Sequence, residues 1–275
     1  MAHENYYRLG VFLGMLLLMM LWEALAPARR DPVGRSWRWR TNLLLMVSGT
    51  LLMRLLAPIS LVALAQVNQQ QSFGLLYLFA MPYWLMVLVS VLFLDMAIYW
   101  QHRLFHRIPL LWRLHQVHHA DPHIDSTSGL RFHPLEILLS YFIKLLLVFL
   151  LGVPALAVLL FEIILNASAI FNHSNIRLPA MIERPLRWFI VTQQMHRIHH
   201  SQRVVETNSN YGFNLSVWDR LFGSYCEKAR KSDAQLDIGL VQYLKPEQNT
   251  GLAFLLSLPF RLVKDTTRND KPVKR

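Results

Sequence analysis

The chain has 275 residues, 53% of them hydrophobic and only 16% charged, with a mean hydropathy of +0.27. That balance is too apolar for an ordinary soluble domain and points to a membrane protein. A single cysteine, Cys226, excludes an intramolecular disulfide framework, a cysteine-based zinc ribbon and an iron–sulfur cluster, while the net charge of +11 fits loops facing anionic lipid better than nucleic-acid binding.

Residues 6–26 contain the apolar run 11–21 and read as a first membrane helix ending at Pro27. A secretory signal peptide is disfavoured, because no basic cluster precedes the run and a polybasic stretch follows it. That stretch, Arg29, Arg30, Arg35, Arg38 and Arg40, belongs on the cytoplasmic side under the positive-inside rule. Residues 43–67 form the second expected span, with Arg54 and Pro58 inside it. The loop 68–72 is polar, carries no Lys or Arg and fits the far side of the membrane. Residues 75–100 make the third span and return the chain to the cytoplasm. Asp95 lies inside this span, seven residues before His102 and hence on nearly the same helical face. An acid so deep needs a partner, and two readings stand: a carboxylate that orients a metal-binding imidazole, or an interfacial acid with another role.

The third span runs into the stretch around which the chain is organised. Eight of the twelve histidines fall into three boxes: His102 and His106; His115, His118 and His119; and His196, His199 and His200. On a helix, positions i, i+3 and i+4 share a face, so each box presents two or three imidazoles together. Clustered imidazoles without a metal would repel when protonated and lose hydration when buried. One tetrahedral zinc needs four ligands, so eight or more imidazoles suggest two metals. Their identity stays open on spacing alone, since imidazole suits zinc, copper, iron and nickel.

Beyond the second box, His123 sits in the polar loop 120–130 and matches no helical pattern. Two apolar segments, 135–151 and 153–171, are split by Gly152-Val-Pro154 and read as a hairpin that crosses the membrane or dips into it. Either way its two ends return to one side, which brings His133 and His173 to the level of the boxes as further candidate ligands. Lys144, inside the hairpin, has no account at this level. Asn210-Tyr-Gly212 and the segment Trp218 to Tyr225 read as a turn and a short amphipathic element capping the cluster. Residues 251–263 resemble an interfacial helix, and 264–275 a basic, disordered tail. Three regions are expected: N-terminal membrane helices over 1–74, a metal-binding domain over 75–230 and a C-terminal segment over 231–275.

The three boxes, their order, their place after a membrane helix and the intervening hairpin resemble the fatty acid hydroxylase/sterol desaturase superfamily. Leu130-Arg-Phe-His-Pro-Leu-Glu136, Asn172-His-Ser-Asn175 and Trp218-Asp-Arg-Leu-Phe-Gly223 look like its bacterial branch. The resemblance covers roughly residues 88–225. It implies an all-α, multi-span membrane bundle with a cytoplasmic histidine-rich cap, in a bacterial inner membrane. It implies two iron ions held by the eight box histidines with His133 and His173, and places Asp95, Glu136 and Asn172 as candidate groups behind the ligands. It further implies O2 as co-substrate and hydroxylation or desaturation of a C–H bond in a lipid or sterol-like substrate. A separate electron donor follows, a cytochrome b5-like protein or a ferredoxin with its reductase, since no haem, flavin or ferredoxin motif is visible.

The alternative is a membrane metal-binding protein without oxygenase activity, either a zinc hydrolase or a metal-handling protein. A transporter is disfavoured because its polar groups would lie deep within several spans, whereas these gather at span ends. A metalloprotease would need a glutamate inside an HExxH-type box, and none of the three boxes contains one.

Overall fold

The computed structural model describes residues 4–31 and 34–261, and these are all-helical. Five stretches are long and apolar enough to cross a membrane: Glu4–Leu25, Arg35–Leu78, Tyr83–Arg107, Pro134–Leu151 and Ala155–His173. The first is helix α1 (Glu4–Leu25). The second is not one helix, contrary to the continuous span expected over 43–67. Helix α2 (Arg35–Leu56) stops just before Pro58, which lacks an N–H and disfavours helix at the preceding residue. Helix α3 (Leu61–Gln70) restarts from Ser60, whose hydroxyl accepts from the Ala63 N–H at 3.0 Å. The third span also begins later than expected. Residues Leu75–Leu78 form an isolated 3-10 turn, and α4 (Tyr83–Arg107) starts after Pro82.

Helix α5 (Pro109–His119) follows α4 after a sharp turn at Ile108, with Pro109 at its first position where no helical N–H is required. The hairpin consists of α6 (Pro134–Leu151) and α7 (Ala155–His173). Gly152 joins them at φ +71°, and a Cβ there would lie 2.3 Å from the Phe73 carbonyl oxygen, so glycine is required twice over. Leu61, Val62, Leu94, Ile98, Val148 and Phe161 belong to the apolar core that α3, α4, α6 and α7 enclose. Leucines such as Leu17, Leu51 and Leu146 stay exposed on the outer faces, as helices solvated by lipid require. Lys144 finds its reason here. It lies 3.7 Å from Glu162, whose other carboxylate oxygen is 3.1 Å from Arg8, so one acid on α7 is shared by cations from α6 and α1.

The remaining helices are short: α8 (Ala180–Leu186), α9 (Gln193–His199), α10 (Val204–Thr207), α11 (Val217–Leu221), α12 (Pro246–Asn249) and α13 (Leu252–Ser257). The helix expected over 251–263 is shorter than that and is not simply interfacial. Leu255 and Leu258 are fully buried in one cluster with Leu45 of α2 and Val117 of α5. The basic tail 264–275 lies outside the described residues.

The ends of α1, α2, α4, α5, α6 and α7 meet at one end of the bundle, and buried polar contacts fix them there. Glu23, near the end of α1, accepts from the backbone N–H groups of Ser126 and Asn175, both at 2.7 Å. Arg38, in the first turns of α2, is fully buried. Its guanidinium donates to Asp121 and Asp125 at 2.7 Å, to Asp31 at 2.9 Å and to the His123 carbonyl. The basic run that the positive-inside rule assigns to the cytoplasmic side therefore includes a buried structural cation.

Candidate metal centre

Nine imidazoles converge at this end in two groups. One comprises His102, His106, His115, His119 and His199; the other His118, His173, His196 and His200. Within each group the candidate ligand nitrogens all lie within 4.8 Å of one another. Helical geometry explains the division. Each HxxHH box straddles both groups. On α5, His115 and His119 (i, i+4) enter the first and His118 the second. At α9 the assignment is reversed: His196 and His200 enter the second and His199 the first. The shared face read from the sequence is thus a fan opening toward two points.

The proton inventory shows what the groups are built to hold. The Nδ1 atoms of five of these rings face oxygen acceptors: His102 to the Tyr211 carbonyl at 2.8 Å, His115 to Glu136 at 2.7 Å, His118 to the Arg131 carbonyl at 3.1 Å, His173 to the Ala169 carbonyl at 2.6 Å and His199 to the Ser209 carbonyl at 2.8 Å. A neutral imidazole with its proton on Nδ1 has a bare lone pair on Nε2. Yet the Nε2 atoms of His102 and His115 lie 3.1 Å apart, as do those of His118 and His173. Two lone pairs at that distance repel, and a cation between them turns the repulsion into ligation. His196 Nε2 extends the second set, 2.8 Å from His173 and 3.1 Å from His200. Imidazole–metal bonds of about 2.0–2.1 Å place neighbouring ligands roughly 3 Å apart, which these spacings match. His106, His119 and His199 also carry buried ring nitrogens with no hydrogen-bond partner among the described residues.

Electrostatics agrees with metal binding. Burial, followed by the neighbouring imidazoles, holds His118, His119, His196 and His200 far below the ordinary histidine range. Burial takes His199 down to about 3. Neutral rings with free lone pairs are the ligating form. Phe132 stacks on His118 with centroids 4.5 Å apart, and Trp112 lies 4.9 Å from His106 and 5.3 Å from His119, so aromatic walls help keep water out.

Three sequence expectations land elsewhere. His133 lies outside both groups. It caps α6: Nδ1 accepts from the Leu135 N–H at 3.2 Å and Nε2 faces the Leu256 carbonyl at 3.2 Å, which leaves no lone pair for a metal. Asp95 touches no imidazole. It accepts from the Leu215 N–H at 3.2 Å and the Trp218 indole at 2.8 Å, because seven helical residues separate it from His102 by about 10 Å along the axis. Asn172 donates to the Phe213 carbonyl at 3.0 Å rather than to a ring. Glu136, by contrast, sits directly behind His115.

Other contributors were not visible in the sequence. Arg131 is fully buried, with its guanidinium on the carbonyls of Val117 and Asn249 and on Asn42, and its own carbonyl receives His118. Glu23 and Arg38 fix the loop between the second box and α6. Each has a partner 80 or more residues away, Ser126 for Glu23, Asp121 for Arg38 and Asn42 for Arg131, so no local spacing reveals their roles.

Fold and site together define an all-helical protein with five helical stretches long and apolar enough to span a membrane and two polyhistidine groups whose geometry could hold metal. Comparison narrows the class. The family model described as fatty acid hydroxylase matches residues 87–224, which is half of the chain, and the chain belongs to that family. It is 31% identical to the ornithine lipid hydroxylase OlsE of Rhizobium tropici over 154 residues, 56% of this chain and 45% of that protein. It is 28% identical to the alkylglycerol monooxygenase of Xenopus tropicalis over 52% of this chain and 31% of that protein. With the lathosterol oxidase of Mus musculus it shares 29% identity over 52% of this chain and 46% of that protein. The chain spans less than half the length of each of these relatives. No solved structure matches it.

Proposed function

We propose that the chain is a membrane-bound, O2-dependent di-iron oxidoreductase that hydroxylates or desaturates a C–H bond of a lipid or sterol-like substrate. The observation that carries the reading is the pair of imidazole groups, whose facing lone pairs call for a cation in each, within a segment that matches the family model. His102, His106, His115, His119 and His199 would hold one iron, and His118, His173, His196 and His200 the other; His133 is left out. When bound, the iron pair supplies the O2-dependent oxidation of an unactivated C–H bond.

The chain's own residues prepare that chemistry. Glu136 and the carbonyls of Tyr211, Arg131, Ala169 and Ser209 hold five rings in one tautomer and one orientation. Burial keeps His118, His119, His196, His199 and His200 neutral and excludes water from the reacting centre. The site lies where five apolar spans end, so a lipid can present its reacting carbon from the bilayer. The named activities of the relatives, on ornithine lipid, alkylglycerol and lathosterol, support a lipid or sterol-like substrate. The cationic run at the start of α2 supports a cytoplasmic histidine end in a bacterial inner membrane. Electrons come from a separate cytochrome b5-like protein or a ferredoxin with its reductase.

The test is metal analysis of detergent-purified protein, with Mössbauer spectroscopy on iron-57-enriched material. About two irons per chain giving a coupled signal are expected, and His118→Ala should abolish both the pair and the activity. Stoichiometric zinc that iron cannot replace anaerobically, or full activity in His118→Ala, would refute the assignment.

A further inference from the structure

The capping segment that follows the third box offers more than packing. Asp219, on α11, is fully buried, and all three groups reaching its carboxylate are donors: the Tyr211 N–H at 2.7 Å, the Gly212 N–H at 2.8 Å and the Ser224 hydroxyl at 2.7 Å. The Gly212 N–H and the Tyr211 carbonyl belong to one peptide unit. The N–H end of that unit donates to Asp219, and the carbonyl end accepts from His102 Nδ1 at 2.8 Å. A buried negative charge on the N–H side polarises the amide and strengthens its carbonyl as an acceptor. The chain Asp219–peptide–His102 thus resembles the carboxylate–histidine–metal arrangement with a peptide group inserted.

Local geometry looks made for this contact. A Cβ on Gly212 would lie 2.7 Å from Asp219 Oδ2 and 2.8 Å from the Leu215 carbonyl oxygen, so glycine is what admits the carboxylate. Asn210, at φ +51°, is clamped by the carbonyls of Met195 and Cys226 at 3.1 and 3.0 Å, which sets the neighbouring Ser209 carbonyl against His199. His102 and His199 both belong to the five-histidine group, and that group already has Glu136 behind His115. The four-histidine group shows neutral carbonyls behind His118 and His173.

We propose that Asp219 is a positioning residue of the five-histidine group, acting on His102 through the Tyr211–Gly212 peptide and setting the affinity and electronic environment of that one metal. The inference rests on metal occupancy as set out under the proposed function.

The experiment compares full-length wild type with Asp219→Asn and Asp95→Asn after anaerobic loading with iron-57. Iron retained against a graded chelator and the Mössbauer spectrum are the readouts. Asp95→Asn removes a carboxylate that anchors the same segment, at Leu215 and Trp218, without touching the peptide relay. In Asp219→Asn one of the two irons should leave at a chelator concentration about 10- to 100-fold lower. Its signal should shift while the other persists, and Asp95→Asn should follow wild type. If Asp219→Asn loses its helical fold, Gly212→Ala, which displaces the carboxylate but keeps its charge, should give the same selective change. Wild-type retention and spectrum in the folded Asp219 variant, or equal losses in both aspartate variants, would overturn the inference while leaving the di-iron reading intact. Wild type that takes up no iron would overturn both.

Discussion

Replacing Arg38 with leucine tests whether the ends of the bundle are held by charge. The side chain is fully buried and makes short contacts to Asp121, Asp125 and Asp31. Burial pushes Asp121 up, but Arg38, followed by Arg131, overrides it and holds the carboxyl far below the usual range. In Arg38→Leu, Asp121 and Asp125 stay buried without their main cation. Neutralising one ordinary aspartate at pH 7 takes about 4 kcal/mol, at 1.36 kcal/mol per pH unit from a model value near 3.9. Removing one partner from a buried ion pair costs about 3–5 kcal/mol in other proteins, so the two estimates agree. Thermal unfolding in detergent should register a drop on the order of 10 °C. The direction with pH gives a sharper reading. In wild type, Asp121 has a depressed folded pKa, so its contribution is present above about pH 4 and fades below it. In the variant Asp121 favours protonation when folded, so the deficit relative to wild type should shrink as pH falls from 7 toward 4. A loss under 1 kcal/mol, or an unaltered pH trend, would refute this account of the loop.

Glu136→Gln keeps the shape behind His115 and removes the charge; metal affinity should fall about tenfold by chelator competition, and an unchanged profile would show that the carboxylate is dispensable. His133→Ala should leave metal content unaltered and lower stability by about 1 kcal/mol, the usual value of a helix cap; loss of metal would restore His133 to the ligand set. Burial, followed by Arg38, lowers His123 to about 4. The folded protein therefore resists protonation there while the unfolded chain accepts it near 6.5. Stability from this ring is complete above 6.5 and is lost as pH falls toward 4, by about 2 kcal/mol between pH 6.5 and 5. His123→Gln should flatten that part of the wild-type profile, measured as unfolding free energy against pH.

The contrast between what was legible and what was not follows from range. Box histidines are separated by one helical turn, and the turn is a local property, so His102 with His106 and His115 with His119 meet as their spacing requires. Which of the two groups each ring joins depends on the directions from which α4, α7 and α9 arrive, and spacing holds no record of that. Of the two readings open for Asp95, the ring-orienting one had a correct azimuth with two turns of rise left out, and the acid with another partner is the one that fits. His133 shows an error of a different kind. A histidine followed by Pro134 at the first position of a helix is placed to cap it, and that local signal was available. The break at Pro58 was equally readable, whereas Glu23 and Arg38 were not, because their meaning depends on partners outside any local window.

Those two residues bear on how the unit should be cut. The recognisable family segment starts at residue 87, yet Glu23, Arg38 and Asn42 reach into it and occupy the buried donors and acceptors of Ser126, Asp121 and Arg131. A fragment trimmed to the shared segment would keep all nine clustered histidines and lose the groups that hold their loop shut. The folded unit is therefore larger than its signature. Cutting this chain at its signature would separate the loop from the side chains that close it, so the residues before 87 belong to the same cooperative unit as the histidines.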